Sequence, residues 1–236
     1  MPFGYYGFYF DPTYILVLIG TVICLWASAR VNSAMKKYAG VRNVSGVTGA
    51  EAAQRILQYE GITDVTVECL GHGKGDHYDP RSKTVRLSYE NYNYPSVTAI
   101  SVAAHECGHA IQHHEEYGFL KFRSIFAPVA SIGSNLGFPI IFLGILLGWS
   151  QSLIEIGILA FSLGVLFQLI TLPVEFDASR RALQVVSSYG ILTETEKAGG
   201  KKVLSAAAWT YVAAAAAAIL QLLRLVLLFG GRRRDD

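Results

Sequence analysis

Residues 125–174 read IFAPVASIGSNLGFPIIFLGILLGWSQSLIEIGILAFSLGVLFQLITLPV and contain one charge, Glu155. A helix crosses the hydrocarbon core of a bilayer with about 20 consecutive apolar residues. The stretch therefore fits two crossings, with Gly148, Trp149, Ser150, Gln151 and Ser152 as the polar turn between them. Buried helices of soluble domains seldom run this far without charge, because one face must meet water. The reading is a membrane hairpin that returns the chain to the side it left.

The pattern continues outward. Residues 12–29 carry no charge, and 13–29 fit a further span. Tyr5, Tyr6, Phe8, Tyr9 and Phe10 precede it in place of the basic start of a cleavable signal, and such aromatics suit a headgroup belt. Between Val203 and Gly231 only Arg224 is charged, which makes 203–229 a candidate fourth span. Arg30, Lys36, Lys37 and Arg42 follow the first span, and Lys121 and Arg123 precede the hairpin. Arg180, Arg181, Lys197, Lys201 and Lys202 follow it. Three real spans put all of these on one side, which the positive-inside rule makes cytoplasmic, with the N-terminus outside. Arg232, Arg233 and Arg234 argue against a simple fourth crossing, so re-entry or packing of the alanine-rich segment (206–208 and 213–218) stays open beside it.

Composition agrees. Of 236 residues, 52% are hydrophobic and 16% charged, against about 25% charged in average soluble domains. Mean hydropathy is +0.34. Disordered, collagen-like and disulfide-scaffold classes are excluded. Twenty Lys and Arg against eighteen Asp and Glu leave +2, too balanced for a nucleic-acid partner. Cys24, Cys69 and Cys107 show no paired spacing, which fits a reducing compartment. The expected location is the cell membrane, multi-pass, with the polar part cytoplasmic.

That polar part, residues 30–124, reads as a small α+β segment. Thr48 and Glu51 form a capping-box pattern that opens a helix carrying Ile56 and Leu57 and stopping at Gly61. Residues 65–67 and 84–87 alternate as strands, with a turn at 79–82. A glycine-rich loop, 71–77, precedes the turn, and Tyr94, Pro95 and Ser96 lead into a helix ending near His113 or His114. The organisation is thus a membrane anchor (1–29), an α+β segment (30–124), a membrane hairpin (125–174), a further helix (175–202) and an apolar C-terminal helix with a basic tail (203–236). About ninety residues give only a thin core, which membrane helices would help to complete.

Within the last polar helix stands His105–Glu106–Cys107–Gly108–His109. Histidines four apart share one helical face and can reach one metal ion. A glutamate beside the first of them can hold water without ligating the metal. With six His and eleven Glu, the pattern arises by chance about 0.007 times in such a chain. It points to one catalytic zinc ion.

A catalytic zinc takes three protein ligands and leaves a position for water. After His109 the chain reads Ala110, Ile111, Gln112, His113 and His114, without a glycine-spaced third histidine. The hairpin topology nominates Glu175, the first acid after the chain returns, with Pro173 as the start of a new helix. Asp177 competes for the place. It lies about 200° round a helix from Glu175, so both would not bind one ion. Asp177 has an alternative role as a partner of Arg181 four residues on.

HECGH, followed beyond a hydrophobic hairpin by PVEFDASRRAL, resembles the membrane-bound neutral zinc metallopeptidases of the bacterial YugP type. GDHYDPRSKTVRLS, ahead of the zinc helix, belongs to the same resemblance, which extends from the first span onward. More distantly the layout is similar to HtpX-like membrane gluzincins. The resemblance implies a mostly α membrane protein with three or four membrane helices and a small α+β zincin-like catalytic domain. It implies zinc on His105, His109 and Glu175, with Glu106 catalytic, and peptides or proteins as substrates, membrane or misfolded proteins among them. In the distant group an aspartate four residues after the ligand glutamate supports a histidine. Here that position is Ser179, which puts the identity of the supporting group in question.

The oxyanion of peptide hydrolysis needs a donor, for which His77, Tyr211, Arg180 and Arg181 are the candidates. An exposed strand edge near Val85–Leu87 would pair with an extended peptide. Residues 71–75 are not a phosphate loop, since no Lys-Ser or Lys-Thr opens a helix after them. His113, His114, Glu115 and Glu116 read as a helix end in solvent, and Cys107 as a small packing residue. The rival class is a non-catalytic metal-binding scaffold or a metal transporter. A transporter places ionisable residues within its spans, where only Glu155 and Arg224 qualify.

Overall fold

The computed structural model describes residues 11–71 and 74–230. The aromatic cluster at residues 5–10, His72 and Gly73, and the Arg232 to Arg234 tail lie outside the described residues. Four long helices dominate: α1 (Tyr14–Ala39), α5 (Gly118–Leu146), α6 (Gln151–Ser188) and α7 (Glu194–Phe229). Among the described residues these are the four helices long and apolar enough to cross a membrane. Between α1 and α5 lie α2 (Gly49–Tyr59), β1 (Thr66–Cys69), β2 (His77–Asp79), β3 (Thr84–Leu87), α3 (Tyr89–Asn93) and α4 (Val97–His114).

Local signals explain the short elements. Thr48 and Glu51 cap each other reciprocally at the start of α2, and Gly61 leaves the helix with φ +69°. The Ser96 hydroxyl accepts from Ala99 N–H at 3.1 Å and opens α4. The sheet order is β1-β3-β2, with β1 parallel and β2 antiparallel to β3. β2 begins inside the stretch whose glycines suggested only loop. β3 is the central strand, so the expected substrate-binding edge at Val85–Leu87 is corrected: both sides of β3 are already paired.

The α+β segment does not close its own core. Val85, Leu87, Ile100 and Cys107 pack with Val185 and Val186 from the end of α6 and Leu204 from the start of α7. The long helices thus form one wall of the polar segment, as its thin apolar content requires.

α7 runs the full height of the bundle. It packs antiparallel on α1, from Gly199 against Tyr38 to Ala217 against Gly20, whose added Cβ would come within 3.2 Å of Ala217. The alanines act as spacers that let two apolar helices approach closely. At the far end the Gln151 amide donates to the Phe229 carbonyl at 3.1 Å. There Arg224 meets Asp11 at 3.3 Å and stacks on Tyr14 at 4.1 Å, while Glu155 accepts from Gln151 at 3.0 Å. The two charges of the apolar stretches are therefore tied up locally, near the ends of the helices.

Pro173 does not start a helix. It lies inside α6, whose 38 residues extend about 57 Å, well beyond the about 20 residues of one crossing. A proline removes one backbone donor, and packing from neighbouring helices sustains such an interruption. The consequence is rigidity: Glu175 sits on a continuous rod that runs from the apolar bundle into the polar segment.

Candidate metal centre

α4 and α6 touch backbone to backbone. A Cβ on Gly108 would lie 2.6 Å from the Ala178 carbonyl oxygen, so only glycine allows this approach. The glycine inside HECGH therefore sets the distance between the helix that carries the histidines and the helix that carries the acid.

At that contact His105, His109 and Glu175 converge. One nitrogen or oxygen from each lies within 4.8 Å of the others. Glu175 Oε2 is 3.2 Å from His105 Nε2 and 3.6 Å from His109 Nε2. Its other oxygen, Oε1, accepts from the Arg123 guanidinium at 3.2 Å. Glu175 is only 2% exposed, so its charge depends on these partners.

Each histidine is fixed through its second nitrogen. Ser179 Oγ stands 3.2 Å from His105 Nδ1. Gln112 Oε1 stands 3.0 Å from His109 Nδ1. The Gln112 amide nitrogen donates to the Val174 carbonyl and to Asp177 Oδ2, each at 2.9 Å. The oxygen facing His109 can only accept, so Nδ1 carries the proton and Nε2 turns its lone pair to the centre. That lone pair faces a buried carboxylate oxygen, an arrangement that a cation between them relieves. Two imidazole nitrogens and one carboxylate oxygen are a donor set that suits zinc. On these grounds the residues fit the ion.

Asp177 is occupied elsewhere. Arg180 binds Oδ1, Arg181 Nε donates to Oδ2 at 2.5 Å, and Gln112 shares Oδ2. The carboxylate therefore supports His109 through Gln112, while the serine in the expected aspartate position contacts His105 directly. Gln112 was missed in the sequence, although it lies three residues after His109 on a neighbouring helical position.

Glu106 lines the same cavity of about 340 Å³ as His105, His109 and Glu175. Its Oε2 accepts from the backbone N–H of Tyr78 in β2 at 2.9 Å. Asp76 pins the loop before β2 by accepting from Ser88 N–H at 2.6 Å and from the Asn91 amide at 2.8 Å. Phe167 and Ala127 bring the apolar helices into the wall.

Of the four candidate oxyanion donors, His77 and Tyr211 line this cavity. Tyr211 also lies within reach of Glu175. Arg180 and Arg181 are outside it, on Asp177. Arg123, read in the sequence only as an orientation charge, is in the cavity wall.

Among the described residues His105, His109 and Glu175 are the one cluster of three His, Cys, Asp or Glu donors that could hold a metal ion. Burial, with Asp64 and Asp79 nearby, pushes the Tyr78 phenol up to about 12. It stays protonated at neutral pH and shares a hydrogen bond with His113 Nδ1 at 2.8 Å. Burial also pushes the Cys107 thiol up, so it is no thiolate ligand.

The mostly helical chain thus brings two imidazoles and a carboxylate to one cavity, a candidate metal site beside helices long and apolar enough to cross a membrane. The chain belongs to the family described as "Putative neutral zinc metallopeptidase", whose model it matches over residues 13–230. A relative from Bacillus subtilis (strain 168), "Putative membrane protease YugP", is 49% identical over 195 residues, covering 83% of this chain and 86% of that protein. The resemblance read from HECGH and PVEFDASRRAL is borne out. No solved structure matches.

Proposed function

We propose that the protein is a membrane-anchored zinc endopeptidase of zincin-like, gluzincin type. One observation carries the reading: the donors of His105, His109 and Glu175 lie within 4.8 Å of one another, in the cavity that Glu106 also lines. His105, His109 and Glu175 would hold one zinc ion. When bound, zinc supplies Lewis acidity, acidifying water towards a pKa of about 7 and polarising a peptide carbonyl.

The remaining work falls to the chain's own groups. Glu106 accepts a proton from the attacking water and delivers it to the leaving amine. The Tyr78 N–H holds one carboxylate oxygen and so fixes the orientation of this base. Tyr211 and His77 are the donors available to the oxyanion. β2, the sheet's outer strand beside the cavity, is the edge on which an extended substrate pairs, in place of β3.

The site lies at the cytoplasmic membrane surface. Cations from Arg30 to Arg42, at 121 and 123, and from Arg180 to Lys202 gather at the end of the bundle that carries the α+β segment. With α7 as a fourth crossing, its Phe229 end lies opposite these charges. Membrane proteins and misfolded proteins are the proposed substrates, by resemblance to HtpX-like enzymes.

The test is hydrolysis of an unfolded reporter protein by the purified chain in detergent. A chelator is expected to abolish cleavage, and stoichiometric zinc to restore it. Cleavage that persists once zinc has been removed contradicts the proposal.

A further inference from the structure

A groove of about 610 Å³ lies between the end of α1 and the start of α7, away from the metal centre. Arg30 and Lys37 line it from α1, and Lys201 and Lys202 from α7. On α1, Arg30, Ala34 and Lys37 recur at steps of four and three, which places them on one stripe. On α7, Ala198, Lys201, Lys202 and Ser205 recur in the same way. Two antiparallel helices thereby set cations on facing walls.

No carboxylate lines the groove. Among the described residues none of the four cations has an acidic partner. Arg30 rests instead over the Trp26 ring at 5.2 Å, and Lys37 over Tyr38 at 5.6 Å. Ser33 and Ser205 add hydroxyl donors, and the alanines make the remaining wall apolar.

The height of the groove identifies its ligand. Arg30 is the first charge after the apolar run of α1. Trp26 and Trp209 pair edge-on at 6.1 Å one turn nearer the apolar bundle, and tryptophans mark the boundary between hydrocarbon and headgroups. Below them α1 presents Val22 and Leu25, both more than 60% exposed, to the surroundings.

We propose that this groove binds the headgroup of an anionic glycerophospholipid, its phosphodiester between the two basic walls and its acyl chains along α1. Basic pockets between membrane helices at this level recognise such headgroups by charge, and the apolar wall favours a lipid over free phosphate. The site is independent of the peptide chemistry.

The test compares full-length protein in detergent, offered phosphatidylglycerol and phosphatidylcholine in equal amounts, with retained lipid counted by native mass spectrometry. Wild type is expected to retain the anionic lipid preferentially. Lys201→Gln/Lys202→Gln, and separately Arg30→Gln/Lys37→Gln, should each lower that retention about tenfold or more. Lys36→Gln/Arg42→Gln removes the same charge outside the groove and should retain wild-type preference. Wild-type retention in both groove variants overturns the proposal. So does an equal loss in the control, which would assign the effect to diffuse surface charge. Displacement of the lipid by an equal concentration of inorganic phosphate overturns the assignment to lipid.

Discussion

Glu106→Gln is expected to leave zinc bound and to lower peptide hydrolysis by about 10²–10⁴-fold, the usual contribution of a general base. The substitution preserves shape. A glutamine oxygen can still accept from the Tyr78 N–H, as Glu106 Oε2 does at 2.9 Å, so the side chain keeps its place in the cavity. The donors of His105, His109 and Glu175 are untouched. What disappears is the basicity needed to take the proton of water. Turnover of an unfolded reporter, measured beside zinc content by elemental analysis, separates the two roles. A scaffold tolerates this change, so unchanged turnover with unchanged zinc contradicts a peptidase.

The second large effect belongs to Glu175. A structural zinc site stabilises by about 10–16 kcal/mol over its ligands, so one ligand is worth about 3–4 kcal/mol, or about 10²–10³-fold in affinity. Glu175→Ala should lose that much, because Oε2 is the atom that faces both imidazoles. Asp177→Ala should lose about 10–100-fold, typical of a group that supports a ligand from behind. Its carboxylate reaches His109 only through Gln112. Zinc affinity by chelator competition checks the order. Zinc loss in the Asp177 variant with retention in the Glu175 variant would reverse the assignment.

Two kinds of information in the sequence have different reach. Periodicity and charge are local, so the hairpin, the capping box of Thr48 and Glu51 and the paired histidines were legible from residue types alone. The nomination of Glu175 needed one topological step, that a hairpin returns to the side it left; its donor lies within 4.8 Å of those of His105 and His109. Contacts between distant elements were not legible. Gln112 looks like any polar residue at a helix end until Val174 and Asp177 are placed beside it. β2 spans the join between the glycine-rich loop and the turn at 79–82, and it is a strand only because β3 offers it a partner. Pro173 argued locally for a break, but packing around α6 overrides that propensity. Ser179 and Asp177 could not be assigned to their histidines without knowing which face of α6 meets α4.

The most direct measurement of the central claim is zinc K-edge X-ray absorption on the purified, zinc-loaded chain. The account predicts a first shell of nitrogen and oxygen at about 2.0–2.1 Å, outer scattering from two imidazoles, no sulfur, and a changed first shell in Glu175→Ala. A sulfur shell at about 2.3 Å, or scattering from three or more imidazoles, would contradict it.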